Sequence, residues 1–334
     1  MKIRTKQSVV IVLTLIALAP ALISWGVFGH ERINHASVLA IPEPSLQKFF
    51  YNHIDFLIQE STVPDVRKYA LNDKSENPRH FIDLENFGNM DSLPQTMAEA
   101  KKRHDEKFLT QNGILPWHLE NMMEKLSTAM KEKRKVEILF LAGDLGHYIA
   151  DAHMPLHTTS NYDGQETNQR GIHSFWESRL PEQFGNSYIH KLAEIKFIPN
   201  VRYEIWNIIF SSHKLIDSLL IADRVLKQSL ALNQIYELND SGKVLKNKFN
   251  QPVHQKSYAK KYHDALNGMV EKQMTQAIYE TTCFWYTAWI NAGKPDLSLL
   301  DSPEVSNKNA KDLSIELKLW KQGKMLRDES QKEY

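Results

Sequence analysis

The chain has 334 residues, 42% of them apolar and 24% charged, which is enough apolar surface to fold and excludes low-complexity and collagen-like readings. The 41 Lys and Arg against 40 Asp and Glu leave a formal charge of +1, so no polycationic grip on nucleic acid is evident. The single cysteine, Cys283, excludes an internal disulfide framework, while 14 histidines point to chemistry, His being the commonest metal ligand.

Residues 1–24 read as a secretory signal peptide. Lys2, Arg4 and Lys6 form its charged start, and residues 9–23 an apolar stretch broken by Pro20. The stretch is short for a membrane span of about 20 residues, and a single anchoring helix is the alternative reading. Cleavage after Ala21 fits the small-residue rule, whereas cleavage after Ser24 leaves Trp25 first. An exported protein, periplasmic or secreted, is expected.

From Trp25 onward the pattern is helical. Apolar and charged residues recur at helical spacing in residues 119–126 and 204–232, and glycines number only 13. Period-two runs of β-branched residues are almost absent, and no repeat of fixed period is found. Residues 239–255 read as a polar loop or a short hairpin. The expected fold class is all-α, with one domain over residues 25–295 and a charged C-terminal tail or helix over 296–334.

Residues 143–178 carry the most chemistry. His147 and Asp151 stand four apart, one helical turn, so an imidazole and a carboxylate point to one place. His173 and Glu177 repeat the spacing, and His157 lies just past Pro155, which ends a helix. One such pair is more often a surface ion pair. Two pairs so close together in apolar sequence favour a metal, because buried charges need a partner. Zinc accepts both imidazole nitrogen and carboxylate oxygen, and its catalytic sites keep a position for water.

The ordered set Trp25-Gly26-Val27-Phe28-Gly29-His30, His80-Phe81-Ile82-Asp83, His147-x3-Asp151-x5-His157 and His173-x3-Glu177 resembles the superfamily of zinc-dependent phospholipases C and single-strand-specific nucleases. The likeness covers roughly residues 25–180. It implies an all-α fold holding three zinc ions in one cleft. By the same resemblance Asp65, His80, His147 and Asp151 hold one zinc, and His157, His173 and Glu177 a second. The third takes the α-amino group and carbonyl oxygen of Trp25, together with His30 and with Asp151 as a bridge. That role needs a free amine, since a peptide nitrogen is no ligand, and so favours cleavage after Ser24. Asp65 is also expected to orient the attacking water or accept its proton. In the nuclease branch an arginine three residues after that aspartate faces the phosphate. Here Lys68 holds the place with Arg67 beside it, and either supplies positive charge, though only Arg offers a bidentate fork. Asp83, following His80, is expected to orient a ligand imidazole.

Other candidates read as structural. His35 is expected in the core or beside a ligand, His53 as structural rather than a ligand, His153 as a hydrogen-bond partner of backbone rather than a substrate contact, and Asp144 as a neighbouring acid or a helix-start charge. Trp117, His118 and Trp176 line either core or cleft, and Cys283 belongs to a core stripe. The short connection from His157 to His173 and the final Glu177 favour a phospholipase C-like hydrolase of phospholipid headgroups. Ser174-Phe175-Trp176 favours the alternative, a single-strand nuclease or 3′-nucleotidase. A non-catalytic zinc-stabilised module is the third reading, disfavoured because sites short of four protein ligands leave room for water. No protein partner is inferred.

Overall fold

The structure, a computed structural model, describes residues 25–247 and 250–325; the expected signal peptide, residues 1–24, lies outside them. Thirteen helices of seven residues or more follow in order among the described residues: α1 (Gly26–Ala40), α2 (Pro44–Asn52), α3 (Ile54–Glu60), α4 (Val63–Tyr69), α5 (Met97–Arg103), α6 (Glu106–Asn112), α7 (Leu115–Lys131), α8 (Lys135–Ala152), α9 (Val201–His213), α10 (Ile216–Ser229), α11 (Lys256–Ala265), α12 (Met269–Asn291) and α13 (Pro303–Trp320). Helices begin where the sequence supplies caps. Glu43, Thr96, Asp105, Asn200 and Ser302 each accept a hydrogen bond from the turn that follows. Pro opens α2, α4, α7 and α13, where its missing N–H costs nothing. The fold is all-α, as expected. Of loop and hairpin, the stretch around residue 245 is the latter, with antiparallel bridges Tyr236–His254, Leu238–Val244 and Lys246–Pro252.

Helix α8 lies at the centre. Ile138, Ala142, Leu145, Tyr148 and Ile149 are fully buried, as in a helix covered on all sides, and α1, α3, α7 and α12 pack around it. Two glycines set how closely they approach. A Cβ on Gly146 would lie 2.0 Å from Asn34 Oδ1, and one on Gly143 would lie 2.6 Å from Glu60 Cβ. Asn34 on α1 uses this closeness, donating to Leu57 O at 3.0 Å and to Gly143 O at 3.2 Å. One side-chain amide thereby ties three helices together.

Helix α13 docks on α1 and α2 through buried polar groups. Glu316 accepts the Tyr51 hydroxyl at 2.9 Å and lies 2.7 Å from His35 Nε2. Asp301, just before α13, takes Lys135 at 2.7 Å and both Asn52 and His53 at 2.8 Å. Helix α13 is therefore tied to the rest of the domain, and His35 and His53 make structural contacts. Cys283 is buried, which pushes its thiol up to about 11 and leaves it unreactive at neutral pH.

Burial opposes ionisation of Asp301, but the hydrogen bonds from Lys135, Asn52 and His53 hold its carboxyl below the usual range. A depressed carboxyl contributes stability above its unfolded value near 4 and loses it as pH falls through the folded value. Asp301→Asn is expected to lower the unfolding free energy by about 1–3 kcal/mol at pH 6, and the gap to the native protein to close below about pH 4. Urea unfolding at the two pH values checks this; a gap that persists in acid would refute the pairing.

Candidate metal centre

Helical period and two breaks assemble the site. On α8, His147 Nε2 lies 3.2 Å from Asp151 Oδ2. Helix α1 brings His30, whose ring stacks on His147 at 4.0 Å and whose Nε2 is 3.6 Å from Asp151 Oδ1. Helix α4 supplies Asp65, and a 3-10 turn over Asn77–Arg79 delivers His80. His80 Nδ1 lies 2.9 Å from Asp151 Oδ2, 3.1 Å from His147 Nε2 and 3.7 Å from Asp65 Oδ1. Pro155 opens a second 3-10 turn that folds His157 back, 3.6 Å from Asp151 Oδ1. Beyond it, His173 Nε2 is 3.0 Å from Glu177 Oε1 and 3.3 Å from His157 Nε2. Glu177 stands in a π-helical turn, Phe175–Arg179, a distortion frequent at functional sites.

Asp151 therefore divides its oxygens, Oδ2 toward His80 and His147, Oδ1 toward His30 and His157. Three sets of donors result: His30–His147–Asp151, Asp65–His80–His147 and His157–His173–Glu177, each with its donor atoms within 4.8 Å of one another. The first two sets are fully or almost fully buried. Both ring nitrogens of His30, both oxygens of Asp65 and Nδ1 of His157 have no hydrogen-bond partner among the described residues. Each such buried atom costs about 1–3 kcal/mol, and a cation shared between the donors removes that cost. The residues present fit a metal.

The rings are held in the tautomers that a metal requires. His147 Nδ1 donates to Ser61 O at 2.7 Å and His173 Nδ1 to Tyr162 O at 2.9 Å, so both present an Nε2 lone pair to the cluster. Burial holds His30 and His157 well below their usual value, against the pull of Asp151, leaving them neutral. Burial also opposes protonation of His147, yet Asp151 and Asp65 push it up to about 9, so a metal must displace its proton.

His80 is turned the other way, its Nε2 3.5 Å from Glu76 Oε1. Glu76 also accepts the Tyr148 hydroxyl and pairs with Arg67 at 3.0 Å and Arg79 at 2.9 Å. Burial opposes its ionisation, but the hydrogen bonds from His80 and Tyr148 and the two arginines hold it well below the carboxylate range. The sequence reading missed Glu76, although it stands four residues before His80, the spacing used for the other two pairs. It placed Asp83 in that role, and the structure corrects this. Asp83 makes no hydrogen bond to His80; burial, with the like charges of Glu85 and Glu166, pushes its carboxyl up to about 7. The turn ending at His80 points the free side of the ring back toward Glu76, not forward along the chain.

Arg67 and Lys68 part company. The Arg67 guanidinium is taken by Asp144 at 2.6 Å, Glu76 at 3.0 Å and Glu60 at 3.7 Å, which also gives Asp144 its role as a neighbouring acid. Lys68 stays charged despite burial, with Tyr69, Asp65 and Asp151 favouring its ammonium, and its Nζ lies 4.7 Å from the Tyr69 ring centroid. The Trp25 backbone nitrogen lies 3.1 Å from Glu177 Oε2, its indole donates to Ala150 O at 2.6 Å, and its ring meets Trp176 edge-on at 5.2 Å. Residue 25 thus sits beside Glu177 of the His157–His173–Glu177 set. Trp117 is core, its indole donating to Pro94 O at 3.2 Å, and His118 abuts the Tyr148 ring at 4.5 Å.

The family model S1/P1 Nuclease matches residues 25–280, more than half of the chain. No curated protein matches it. The match reverses the order of the two enzymatic readings, favouring nuclease over phospholipase C. The phospholipase preference draws largely on the connection from His157 to His173 and the closing Glu177, and connections are the segments that vary most among relatives. The chain is a phosphodiester-cleaving hydrolase and belongs to the S1/P1 nuclease family.

Proposed function

We propose that the protein is an exported, zinc-dependent nuclease acting on single-stranded nucleic acid and 3′-nucleotides, with its catalytic domain over residues 25–295. The observation that carries this is the gathering of buried imidazoles and carboxylates into adjoining donor sets, with atoms of His30, Asp65 and His157 lacking a hydrogen bond among the described residues, inside a chain of this family. Asp65, His80 and His147 with Asp151 would hold one zinc, and His157, His173 and Glu177 a second. His30 with Asp151 would hold a third, to which an amine at Trp25 is added if export removes residues 1–24. Zinc supplies Lewis acidity toward phosphate oxygens and lowers the pKa of bound water. Among the described residues no helix is long and apolar enough to cross a membrane.

The chain's own residues divide the remaining work. Asp65 is buried, which lifts its carboxyl to about 6 against the charges of His147 and His80; its partnerless oxygens suit it to orient a water and take its proton. Lys68 offers a point charge to a phosphate oxygen. Tyr69 and Tyr162 are 43% and 55% exposed; Lys68 Nζ lies over one face of the Tyr69 ring at 4.7 Å, and the Tyr162 ring is 6.1 Å from His173. Exposed rings beside such a cleft give unpaired bases a stacking face.

Metal analysis is expected to return about three zinc ions per chain. In an activity panel, single-stranded DNA, RNA and 3′-nucleotides are expected to be cleaved and phosphatidylcholine left intact. Release of a phosphorylated headgroup with nucleic acid untouched would overturn the nuclease reading. Asp151→Asn is expected to reduce hydrolysis of every substrate to background, because two of the proposed zinc sites share that side chain; surviving activity would remove it from the bridge. Glu76→Gln is expected to weaken zinc by about 10–100-fold, read by chelator competition. Asp83→Asn is expected to leave that affinity unchanged.

A further inference from the structure

We propose that the crevice between α9, α10 and α12 is a second ligand site, separate from the metal centre, for a small organic ammonium ion. Its cavity of about 630 Å³ is of small-molecule size. Glu204 and Asn207 from α9, Gln273, Gln276 and Glu280 from α12, and His153 just past α8 line it. Glu280 is only 7% exposed, and its carboxyl opens onto the cavity with no hydrogen bond or ion pair among the described residues. Burial and the charge of Glu204 push it up to about 8, with Lys196 opposing. His153 is 5% exposed, and its Nε2 is also without a partner.

A buried carboxyl without a partner is unfavourable unless something from outside completes it. The floor is already built to receive an occupant. Gln273 Nε2 donates to His153 O at 2.7 Å and to Ser212 Oγ at 3.3 Å, and Ser212 Oγ donates to Ala152 O at 2.7 Å. A floor fixed before binding loses little freedom on binding. Two carboxyls select a cation, and the amides of Asn207 and Gln276 select polar groups next to it. A bare metal ion fits poorly, because the cavity is far larger than one ion, and every three-donor group among the described residues lies in the metal centre. Lys272 also lines the crevice and disfavours a second positive charge. One ammonium with a hydroxylated tail is the chemistry left.

Calorimetric titration of the zinc-loaded protein with ethanolamine and 4-aminobutanol tests this, against 1,4-butanediol and succinate as neutral and anionic counterparts. Saturable binding of at least one amino alcohol is expected, weakened at least tenfold in Glu280→Gln, with no binding of the diol or succinate. Nuclease activity of that variant, expected unchanged, reports that it is folded. Should it fail to fold, Glu204→Gln, on the opposite wall, is expected to weaken binding severalfold and takes its place. Absence of saturation by both amines, equal binding of the diol or succinate, or native affinity in the folded variant would overturn the proposal.

Discussion

One buried carboxylate among four imidazoles organises the molecule. Asp151 is fully buried on an apolar helix, where an isolated charge is strongly disfavoured. His80 at 2.9 Å, His147 at 3.2 Å, and His30 and His157 at 3.6 Å surround it. Burial alone would raise its carboxyl, yet these neighbours hold it well below its usual value. The rings in turn come from α1, from α8 itself and from two 3-10 turns. Whatever displaces one of those elements exposes the charge of another.

That dependence gives the close packing around α8 its role in the site. Gly143 and Gly146 let α3 and α1 come within side-chain contact of the helix backbone. At that distance the Ser61 carbonyl, just past α3, reaches His147, and His30 stacks on the same ring. The same α1 carries His35 to Glu316 on α13. A C-terminal helix distant from the metal centre therefore braces the helix that presents His30. Interiors this dense transmit strain instead of absorbing it.

The legible parts of the site were those set by local period. His147 with Asp151 and His173 with Glu177 could be read because a helix repeats every 3.6 residues. Asp65 and His30 have no such partner nearby, and the Glu76–His80 spacing is the same signal left unread; all three were reached only through resemblance. The carbonyls of Ser61 and Tyr162 could not be read, since backbone groups carry no sequence signature. Asp83 misled because adjacency along the chain says nothing about which side of a ring is free. The docking of α13 was equally hidden: Tyr51 and Glu316 meet across 265 positions of sequence, and no periodicity spans that distance. Helices themselves were plain, because caps, prolines and apolar spacing agreed.

The order of the substrate readings turned on a similar confusion of levels. A set of imidazoles and carboxylates that holds zinc is indifferent to what lies beyond the phosphate, so neither Glu177 nor the length of the connection before it can choose between a lipid headgroup and a nucleotide. That choice belongs to whatever the rest of the substrate touches. Here the cleft is bordered by Lys68, which remains charged, and by the exposed rings of Tyr69 and Tyr162. Flat faces near one point charge suit a flexible strand whose bases are free to turn outward. A duplex keeps its bases stacked on one another and gains little from such faces. The proposed preference for single strands would then rest on the rim of the cleft.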